Sequence, residues 1–321
     1  MQKKEIIQYV NQHASGTILS FPDRGPWGDS KYRGNFSGWI PASIIVRYGC
    51  QSVSEIFAGS GTTSDLCRDM DIPYCGIDLN PVPVRQTIRA MDIMDYAKEL
   101  PDLFYEADLQ ILHPPYPGIN GIRYANSMWK DQVGTVSADI QGMSWEEGML
   151  AVNKAIMRGY AAMPSGSYQA MVVGDIRSKG IFRSMLTNLT IPGEQIQILV
   201  KAQHNTVSGR RSYTNGKYFF IEHEFIVITK KPSGYEITFI VPQKYSIDIR
   251  DSRDSTWKDV VYAVLRELGN EGSLENIYKK IESHKKAKQN PHWKDKVRQT
   301  LQRMQKVNKA VHVGRGKWCV A

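Results

Sequence analysis

The sequence predicts an α/β protein with a doubly wound, Rossmann-like sheet and flanking helices, followed by a small C-terminal winged helix-turn-helix domain. Three observations predict this class: a strand, glycine turn and helix unit at residues 53–70, later apolar strands that end in an acid or a Pro-Pro turn, and three short helical patterns before a terminal hairpin. The expected domains are residues 1–250 and residues 251–321.

Composition and charge narrow the class of protein. The 321 residues are 41% hydrophobic and 23% charged, which allows a large core and excludes collagen-like, disulfide-scaffold and wholly disordered chains. The net charge is +9, but residues 1–250 carry 25 Lys and Arg against 24 Asp and Glu, whereas residues 251–321 carry 16 against 8. The basic excess therefore predicts that the second domain contacts a polyanion.

Apolar runs and cysteines indicate the compartment. The N-terminal segment has no apolar signal region, and no apolar run approaches the roughly 20 residues that span a bilayer. The four cysteines form no CxxC pair, and no histidine cluster has metal-ligand spacing. We therefore expect a cytoplasmic protein without a structural metal, a disulfide framework or membrane contact.

The first strands are predicted in chain order. VSEIF (53–57) is a short apolar strand, and the glycine turn after it leads into a helix. YCGIDLNP (74–81) is a second strand that ends in Asp78, and ADLQILHPPY (107–116) is a later strand that runs into Pro-Pro. Open α/β sheets bind ligands at the carboxyl ends of their strands, which is where the acid and the Pro-Pro turn lie.

The rest of the first domain completes the sheet. Helical spacing of apolar residues predicts a helix over 145–163, and SYQAMVVGDI (167–176) has the apolar density of a buried strand. IQILVKA (196–202) and KYFFIEHEFIVITKK (217–231) follow as strands. We expect the sheet to end in these longer, partly antiparallel strands.

The second domain is predicted from three helices and a hairpin. The helical patterns begin near Trp257, after Ser273 and at Asn290-Pro291, and VHVGRGKWCV (311–320) predicts two short strands around a glycine turn. This order is typical of a winged helix-turn-helix, whose third helix usually reads the major groove of DNA.

The glycine turn FAGSGTT (57–63) is ambiguous on its own. It has neither the lysine of a phosphate loop nor the third glycine of a dinucleotide fold. A ligand could lie close to its backbone, with Asp78, about 17 residues after Gly61, accepting hydrogen bonds from a ribose diol. A plain structural turn is the equal alternative.

HPPY (113–116) favours the ligand-binding interpretation. It resembles the (Asn/Asp/Ser)-Pro-Pro-(Tyr/Phe/Trp) motif of the amino-methylating DNA methyltransferases, which make N6-methyladenine or N4-methylcytosine. An exocyclic amine is a poor nucleophile because its lone pair is delocalised into the ring. A polar first residue and the carbonyl of the next proline supply two hydrogen-bond acceptors for it, and the rigid turn fixes their direction. Tyr116 would stack on a base flipped out of the duplex.

Four more segments resemble the same family in the same order. SKYRGNFSGWIP (30–41) is similar to the element that holds the methionine part of S-adenosylmethionine, and Glu55 stands where the family usually has an aspartate before its glycine turn. GIDLNP (76–81) and HEFIVITKK (223–231) also match. The resemblance spans roughly residues 27 to 231 and implies an S-adenosylmethionine-dependent DNA methyltransferase with a Rossmann-like sheet.

The resemblance assigns roles to residues. It implies a catalytic turn of His113, Pro114, Pro115 and Tyr116. It implies cofactor contacts from Tyr32, Asn35, Phe36, Ser37, Glu55, Phe57, Ala58, Gly59, Ser60, Gly61, Thr62, Thr63, Asp78, Leu79, Asn80, Asp92 and His113. Two basic, aromatic loops and the third helix of the second domain add candidate DNA contacts, namely Arg123, Tyr124, Lys130, Arg210, Arg211, Lys294, Lys296 and Arg298.

Several alternatives stay open. His113 replaces the usual Asn, Asp or Ser, so it is either an acceptor that works only when unprotonated or a structural histidine beside the turn. Asp92 either contacts the cofactor adenine or is a solvated helix-cap aspartate. The basic loops and tail are either DNA contacts or solvated surface, and the tail could instead dock a protein.

The function expected first is methylation of adenine N6 in double-stranded DNA after base flipping, as in restriction-modification, with cytosine N4 as the alternative. A cognate restriction or phage-defence component is a possible partner. A catalytically degenerate DNA-binding protein, or an enzyme acting on RNA or protein, remains a competing hypothesis.

Overall fold

A computed structural model of the chain describes residues 1–32, 34–118, 129, 138–204, 218–234, 237–243, 248 and 255–321. These residues divide into two compact units, Met1–Pro242 and Gln243–Ala321. The domain boundary expected between residues 250 and 251 lies outside the described residues.

The first unit is built on a nine-stranded sheet. Its strands are β1 (Ile18–Ser20), β2 (Val53–Ile56), β3 (Tyr74–Asp78), β4 (Ile88–Ala90), β5 (Leu109–Leu112), β6 (Tyr168–Ser178), β7 (Ile181–Ser184), β9 (Glu194–Ala202) and β10 (His223–Lys230). A separate pair is formed by β8 (Ile191–Pro192) and β11 (Phe239–Ile240). The order in the large sheet is β1-β9-β10-β6-β5-β2-β3-β4, and β7 pairs with β6.

The direction of the strands confirms the predicted Rossmann-like sheet with a partly antiparallel end. β4, β3, β2, β5 and β6 run parallel, and β10 lies antiparallel between β6 and β9. The chain builds outward from β2 to β4 and then returns to place β5 on the other side of β2. This reversal makes the carboxyl ends of β2 and β5 the place where an open α/β sheet binds its ligand.

Helices cover both faces of this sheet. They are α1 (Lys3–His13), α2 (Trp39–Tyr48), α3 (Thr62–Met70) and α4 (Trp145–Ala162). Along β6, Ala170 and Val172 join the core that contains α1, α2 and α3, while Met171 and Val173 join the core that contains α4. Alternate side chains of a strand thus enter two separate cores, as expected for a sheet buried on both faces.

Helix α4 is fixed at both ends. Ser144 and Glu147 form a capping box at its start. At its other end the Lys231 ammonium donates to the carbonyl oxygens of Tyr160, Ala161 and Met163 at 3.1, 2.9 and 2.5 Å. A cation on the last carbonyls neutralises the negative end of the helix dipole.

One predicted strand is too long. Residues 217–231 read as a strand in the sequence, but β10 begins only at His223. Phe219 is 96% exposed, so this apolar side chain before His223 does not gain the burial that would stabilise a strand there.

The second unit contains the three predicted helices and the hairpin. Its elements are α5 (Trp257–Glu267), β12 (Glu271–Ser273), α6 (Leu274–Ile281), α7 (Lys285–Lys288), α8 (Trp293–Lys306), β13 (Ala310–Gly314) and β14 (Lys317–Val320). Strand β12, which was not predicted, pairs with β14 to give a three-stranded antiparallel sheet. The core of this unit includes Val264, Ile277, Leu301 and Trp318. That the unit is a DNA-binding winged helix stays a prediction.

The last of the three predicted helices, α8, starts later than predicted. Asn290-Pro291 precedes α8 instead of opening it, because the Asn290 Oδ1 accepts from the backbone N–H of His292 at 2.9 Å and closes a turn of its own. Within the described part of the chain, no helix is long and apolar enough to cross a membrane.

Candidate functional site

A cleft of about 1420 Å³ lies where β2, β3, β4, β5 and β6 end. Single ligand pockets usually measure about 300–1,000 Å³, so this cleft has room for two molecules side by side. We call the part around Gly59, Asp78 and Asp92 the turn half, and the part around His113 and Tyr116 the HPPY half.

The turn half begins at the glycine turn between β2 and α3. Gly59 adopts a φ of +46°, and a Cβ added there would lie 3.3 Å from the Tyr32 ring. The positive φ favours glycine, and a side chain there would press against the Tyr32 ring.

Asn35 ties the segment before β2 to this turn. Its Oδ1 accepts from the Ser60 hydroxyl at 2.9 Å and from the Thr62 hydroxyl, and its Nδ2 donates to the Asp29 carbonyl at 2.9 Å. The buried network holds Asn35 against the glycine turn, and Tyr32, Phe36 and Ser37 near it line the cleft.

Asp78 ends β3 and shapes the turn half. Its carboxylate accepts from the backbone N–H of Gly59 at 2.7 Å and from that of Asn80 at 2.8 Å. Burial raises the pKa of Asp78, although both amides oppose the shift. A buried carboxylate with remaining lone pairs beside the turn can accept hydrogen bonds from a diol.

Asp92 follows β4 at the far end of the turn half. Its Oδ1 accepts from the Met94 N–H at 2.8 Å, so the residue caps a turn as well as lining the cleft. Arg158 of α4 fixes this loop by donating to the carbonyls of Ile93 and Asp95 at 2.5 and 2.9 Å. This role of Arg158 was not predicted, because its partners are more than 60 positions away in the chain.

The predicted cofactor residues divide into two groups. Those in the cleft lining are Tyr32, Asn35, Phe36, Ser37, Phe57, Ala58, Gly59, Ser60, Asp78, Leu79, Asp92 and His113. Glu55, Gly61, Thr62, Thr63 and Asn80 are outside that lining and support it from behind. Cofactor contact from these five residues stays a prediction.

Glu55 illustrates the difference. Its carboxyl accepts from the Thr63 hydroxyl at 2.7 Å and from the Tyr74 hydroxyl at 2.5 Å. Complete burial raises the pKa of Glu55 to about 8, against these two hydrogen bonds. The side chain links β2 to α3 and β3 from inside the protein.

All four residues of the HPPY turn line the cleft. The Tyr116 hydroxyl donates to Glu224 at 2.9 Å. A Cβ at Gly174 of β6 would lie 2.7 Å from that hydroxyl and 3.0 Å from the ring, so glycine is needed for Tyr116 to pack there. The ring of Phe36 lies 5.0 Å from the His113 ring, which joins the two halves of the cleft.

A buried charge cluster lies under the HPPY turn. Glu224 of β10 is 6% exposed, with His113 Nε2 3.7 Å from one carboxylate oxygen and Lys201 Nζ 3.7 Å from the other. Burial alone would raise the pKa of Glu224, but His113 and Lys201 outweigh it and lower the pKa well below the usual range. Burial lowers the pKa of Lys201, and the negative charge of Glu224 opposes this shift. The cluster was not predicted, since its members are distant in sequence.

Asp175 and His223 form a second pair in the cleft. The His223 Nε2 lies 3.5 Å from the Asp175 Oδ2. The Asp175 Oδ1 is buried and makes no hydrogen bond within the part of the chain that the structure describes. Among the described residues, no group of three or more His, Cys, Asp and Glu could hold a metal ion.

The candidate DNA contacts lie in different places. Arg123, Tyr124, Lys130, Arg210 and Arg211 are outside the described residues. Lys294, Lys296 and Arg298 are exposed on α8 of the second unit, and Arg298 forms an ion pair with Asp295.

No protein-family model and no curated protein matches this chain. Among solved structures it is similar to TrmN from Thermus thermophilus, with 13% identity over 62% of this chain and 50% of TrmN and a TM-score of 0.38. It is also similar to an S-adenosylmethionine-dependent methyltransferase from Archaeoglobus fulgidus, with 14% identity over 61% of this chain and 95% of that chain and a TM-score of 0.34.

A third similar structure is a candidate DNA modification methylase, also from Thermus thermophilus. The identity is 13% over 38% of this chain and 59% of that chain, with a TM-score of 0.21. The present chain thus matches only about half of the length of TrmN and of this methylase. Similarity at these levels says nothing of what the chain binds, so its own residues must carry the functional inference.

Proposed function

We propose that the protein is an S-adenosylmethionine-dependent methyltransferase that acts on the exocyclic amine of a flipped DNA base, adenine N6 first and cytosine N4 as the alternative. The observation that carries this proposal is the juxtaposition in one cleft of the glycine turn with Asp78 and the HPPY turn with Tyr116. A donor half and an acceptor half in contact are what group transfer between two bound molecules requires.

The turn half fits the cofactor. Gly59 leaves a cradle that a Cβ would fill, and Asp78 lies beside it with a carboxylate suited to the ribose hydroxyls. We assign the adenine to the neighbourhood of Asp92 and the methionine end to residues 35–37. No metal is needed, because the sulfonium of the cofactor already activates its methyl group.

The HPPY half fits an amine. His113 and the carbonyl of Pro114 would accept from the NH2 group, and Tyr116 would stack on the base. The geometry supports an orienting role for Tyr116, since its ring packs over Gly174 and its hydroxyl is fixed by Glu224. Orientation by hydrogen-bond acceptors and stacking is the catalysis that a direct in-line transfer needs.

DNA as the substrate rests on the resemblance of the HPPY turn and on the charge of the second unit. A phosphate-contacting role is supported by Lys294, Lys296 and Arg298, which are exposed on α8, the last of the three helices that the sequence predicts. The test must distinguish DNA from the two alternative substrates, RNA and protein.

The test combines cofactor binding with transfer. Calorimetry measures the affinity for S-adenosylmethionine, and tritiated cofactor measures transfer to duplex DNA, RNA and a protein mixture. We expect micromolar binding and label in DNA only. Label in RNA or protein would overturn the substrate assignment, and bound cofactor without any transfer would favour a DNA-binding protein that has lost catalysis.

A further inference from the structure

We propose that Glu224, balanced by Lys201, is a positioning residue that keeps Nδ1 of His113 unprotonated and available to the substrate amine. The inference rests on the proposed methyltransferase function and extends it to residues that the HPPY motif does not contain. It also explains how histidine can occupy the first position of that motif.

The first step is the orientation of the His113 ring. Its Nε2 lies 3.7 Å from the Glu224 Oε1, a distance that leaves no room for a water molecule between them. Shortening by about 0.5 Å would make a hydrogen bond of ordinary length. A carboxylate beside Nε2 favours the tautomer with the proton on that nitrogen, so Nδ1 keeps its lone pair.

The second step is the charge balance. A lone buried carboxylate would stabilise the imidazolium and remove the acceptor. Lys201 Nζ lies 3.7 Å from the Glu224 Oε2, opposite Glu224 in the β9–β10 register, and its positive charge compensates the carboxylate. The Glu224 carboxylate thus faces both His113 and a cation, and the Glu224–Lys201 pair as a whole carries no net charge.

The other groups around Glu224 are consistent with this role. Tyr116 donates its hydroxyl to the same oxygen that faces His113, and Arg24 adds positive charge near Lys201. Gln203 also interacts with the carboxylate. On the β6 side Glu224 pairs with Gly174, which has no side chain, and the neighbouring Asp175 faces His223.

The third step is the proton. When bound, S-adenosylmethionine would supply the methyl group: its bond to sulfur would break with the electron pair left on sulfur, and the amine lone pair would form the new N–C bond. The methylated nitrogen then carries one extra proton. Nδ1 of His113 accepts this proton while Nε2 keeps its proton toward Glu224, and the proton on Nδ1 leaves to solvent after product release.

The first test reads the tautomer without any substrate. Nitrogen-15 NMR of the full chain, with the His113 signals assigned from the His113→Asn spectrum, should show the Nε2–H form at neutral pH. Glu224→Gln should give a mixture of tautomers, whereas Tyr116→Phe and Glu222→Gln should not. Glu222 is an exposed carboxylate two positions away and is the matched control. An unchanged tautomer in Glu224→Gln would overturn the inference even if methylation is intact.

The second test reads the pH dependence of transfer. Glu224→Gln should lower kcat about 10- to 100-fold and move the acid limb of the profile to lower pH by about one unit, since Lys201 then disfavours the imidazolium. Lys201→Met should move that limb to higher pH by about one unit. Shifts in the same direction for both variants would contradict the charge balance.

The third test is a double-mutant cycle. Asparagine at position 113 is an acceptor that neither titrates nor changes tautomer, so Glu224→Gln should cost less than about twofold in the His113→Asn background. Equal losses in both backgrounds would show that Glu224 acts only on structure. If Glu224→Gln fails to fold with Lys201 unpaired, the variant that also carries Lys201→Met removes both charges and must show the same mixture of tautomers.

Discussion

The two halves of the cleft are assembled in different ways. In the turn half, Asp78 is held by the backbone amides of Gly59 and Asn80, which lie 19 and 2 positions from it in the chain. The HPPY half depends on side chains from distant strands, since Tyr116 meets Glu224 across 108 positions. A local motif can therefore be read from sequence, whereas the groups that tune it come from the sheet.

The largest effect is expected on stability, at Glu55 behind the turn half. Its folded pKa of about 8 lies above the unfolded value of 4.5, so the folded state binds more protons between these values. Stability should fall as pH rises through this window, by up to roughly 1.4 kcal/mol per unit. Denaturant unfolding should show that slope in the wild type and in the exposed control Glu106→Gln, but not in Glu55→Gln. Equal slopes in all three would contradict burial of this carboxyl.

The next effect concerns the turn half itself. Asp78→Ala should weaken S-adenosylmethionine binding about 100-fold, because it removes both the diol acceptor and the anchor of the Gly59 amide. Calorimetry measures the loss, and the His113 tautomer should be unchanged because the HPPY half is built separately. Asp102→Ala, an exposed carboxylate of the same unit, is the control. Wild-type affinity in Asp78→Ala would place the cofactor elsewhere.

A change in the HPPY half should lower methyl transfer and leave cofactor binding intact. Tyr116→Ala should lower transfer at least tenfold and leave cofactor affinity nearly unchanged, because base stacking is lost while the turn half is intact. Tyr116→Phe keeps the ring and loses the hydroxyl that donates to Glu224, so its transfer should be closer to the wild type. Parallel loss of binding and transfer in Tyr116→Ala would remove the stacking role.

Much of the fold was predictable because its signals are local. The strand, glycine turn and helix at residues 53–70 and the helix at 145–162 have sequence patterns that match their structure. Helix α2 was missed because Trp39 to Ile45 are buried all round, which erases the helical period. Residues 218–222 were assigned to a strand because alternation alone cannot show that a side chain such as Phe219 stays exposed.

In the candidate site too, the residues that belong to local motifs could be predicted. His113, Tyr116, Asp78 and Gly59 were found through motifs, and the structure brings them to one cleft. The contacts of the Glu55 carboxyl with Thr63 and Tyr74 could not be predicted, because its position beside the turn does not reveal where the side chain points. Glu224 and Lys201 could not be found, because their pairing depends on the register of β9 and β10.

The smallest effect is expected in the second unit. Replacing Lys294, Lys296 and Arg298 by Gln should reduce the slope of log affinity for DNA against log salt by about 2 to 3, because each lost phosphate contact contributes about 0.9. Cofactor binding should not change. Lys3→Gln with Lys4→Gln, on exposed positions of α1, is the matched control. An unchanged slope in the triple variant would assign α8 another role.

The most direct measurement is nucleoside mass spectrometry of duplex DNA incubated with the protein and S-adenosylmethionine that carries a deuterated methyl group. We expect deuterium-labelled N6-methyldeoxyadenosine with the wild type and none with Asp78→Ala; labelled N4-methyldeoxycytidine would keep the mechanism and change the base. If the wild-type protein binds the cofactor but the DNA carries no label, methyl transfer to a DNA base is contradicted.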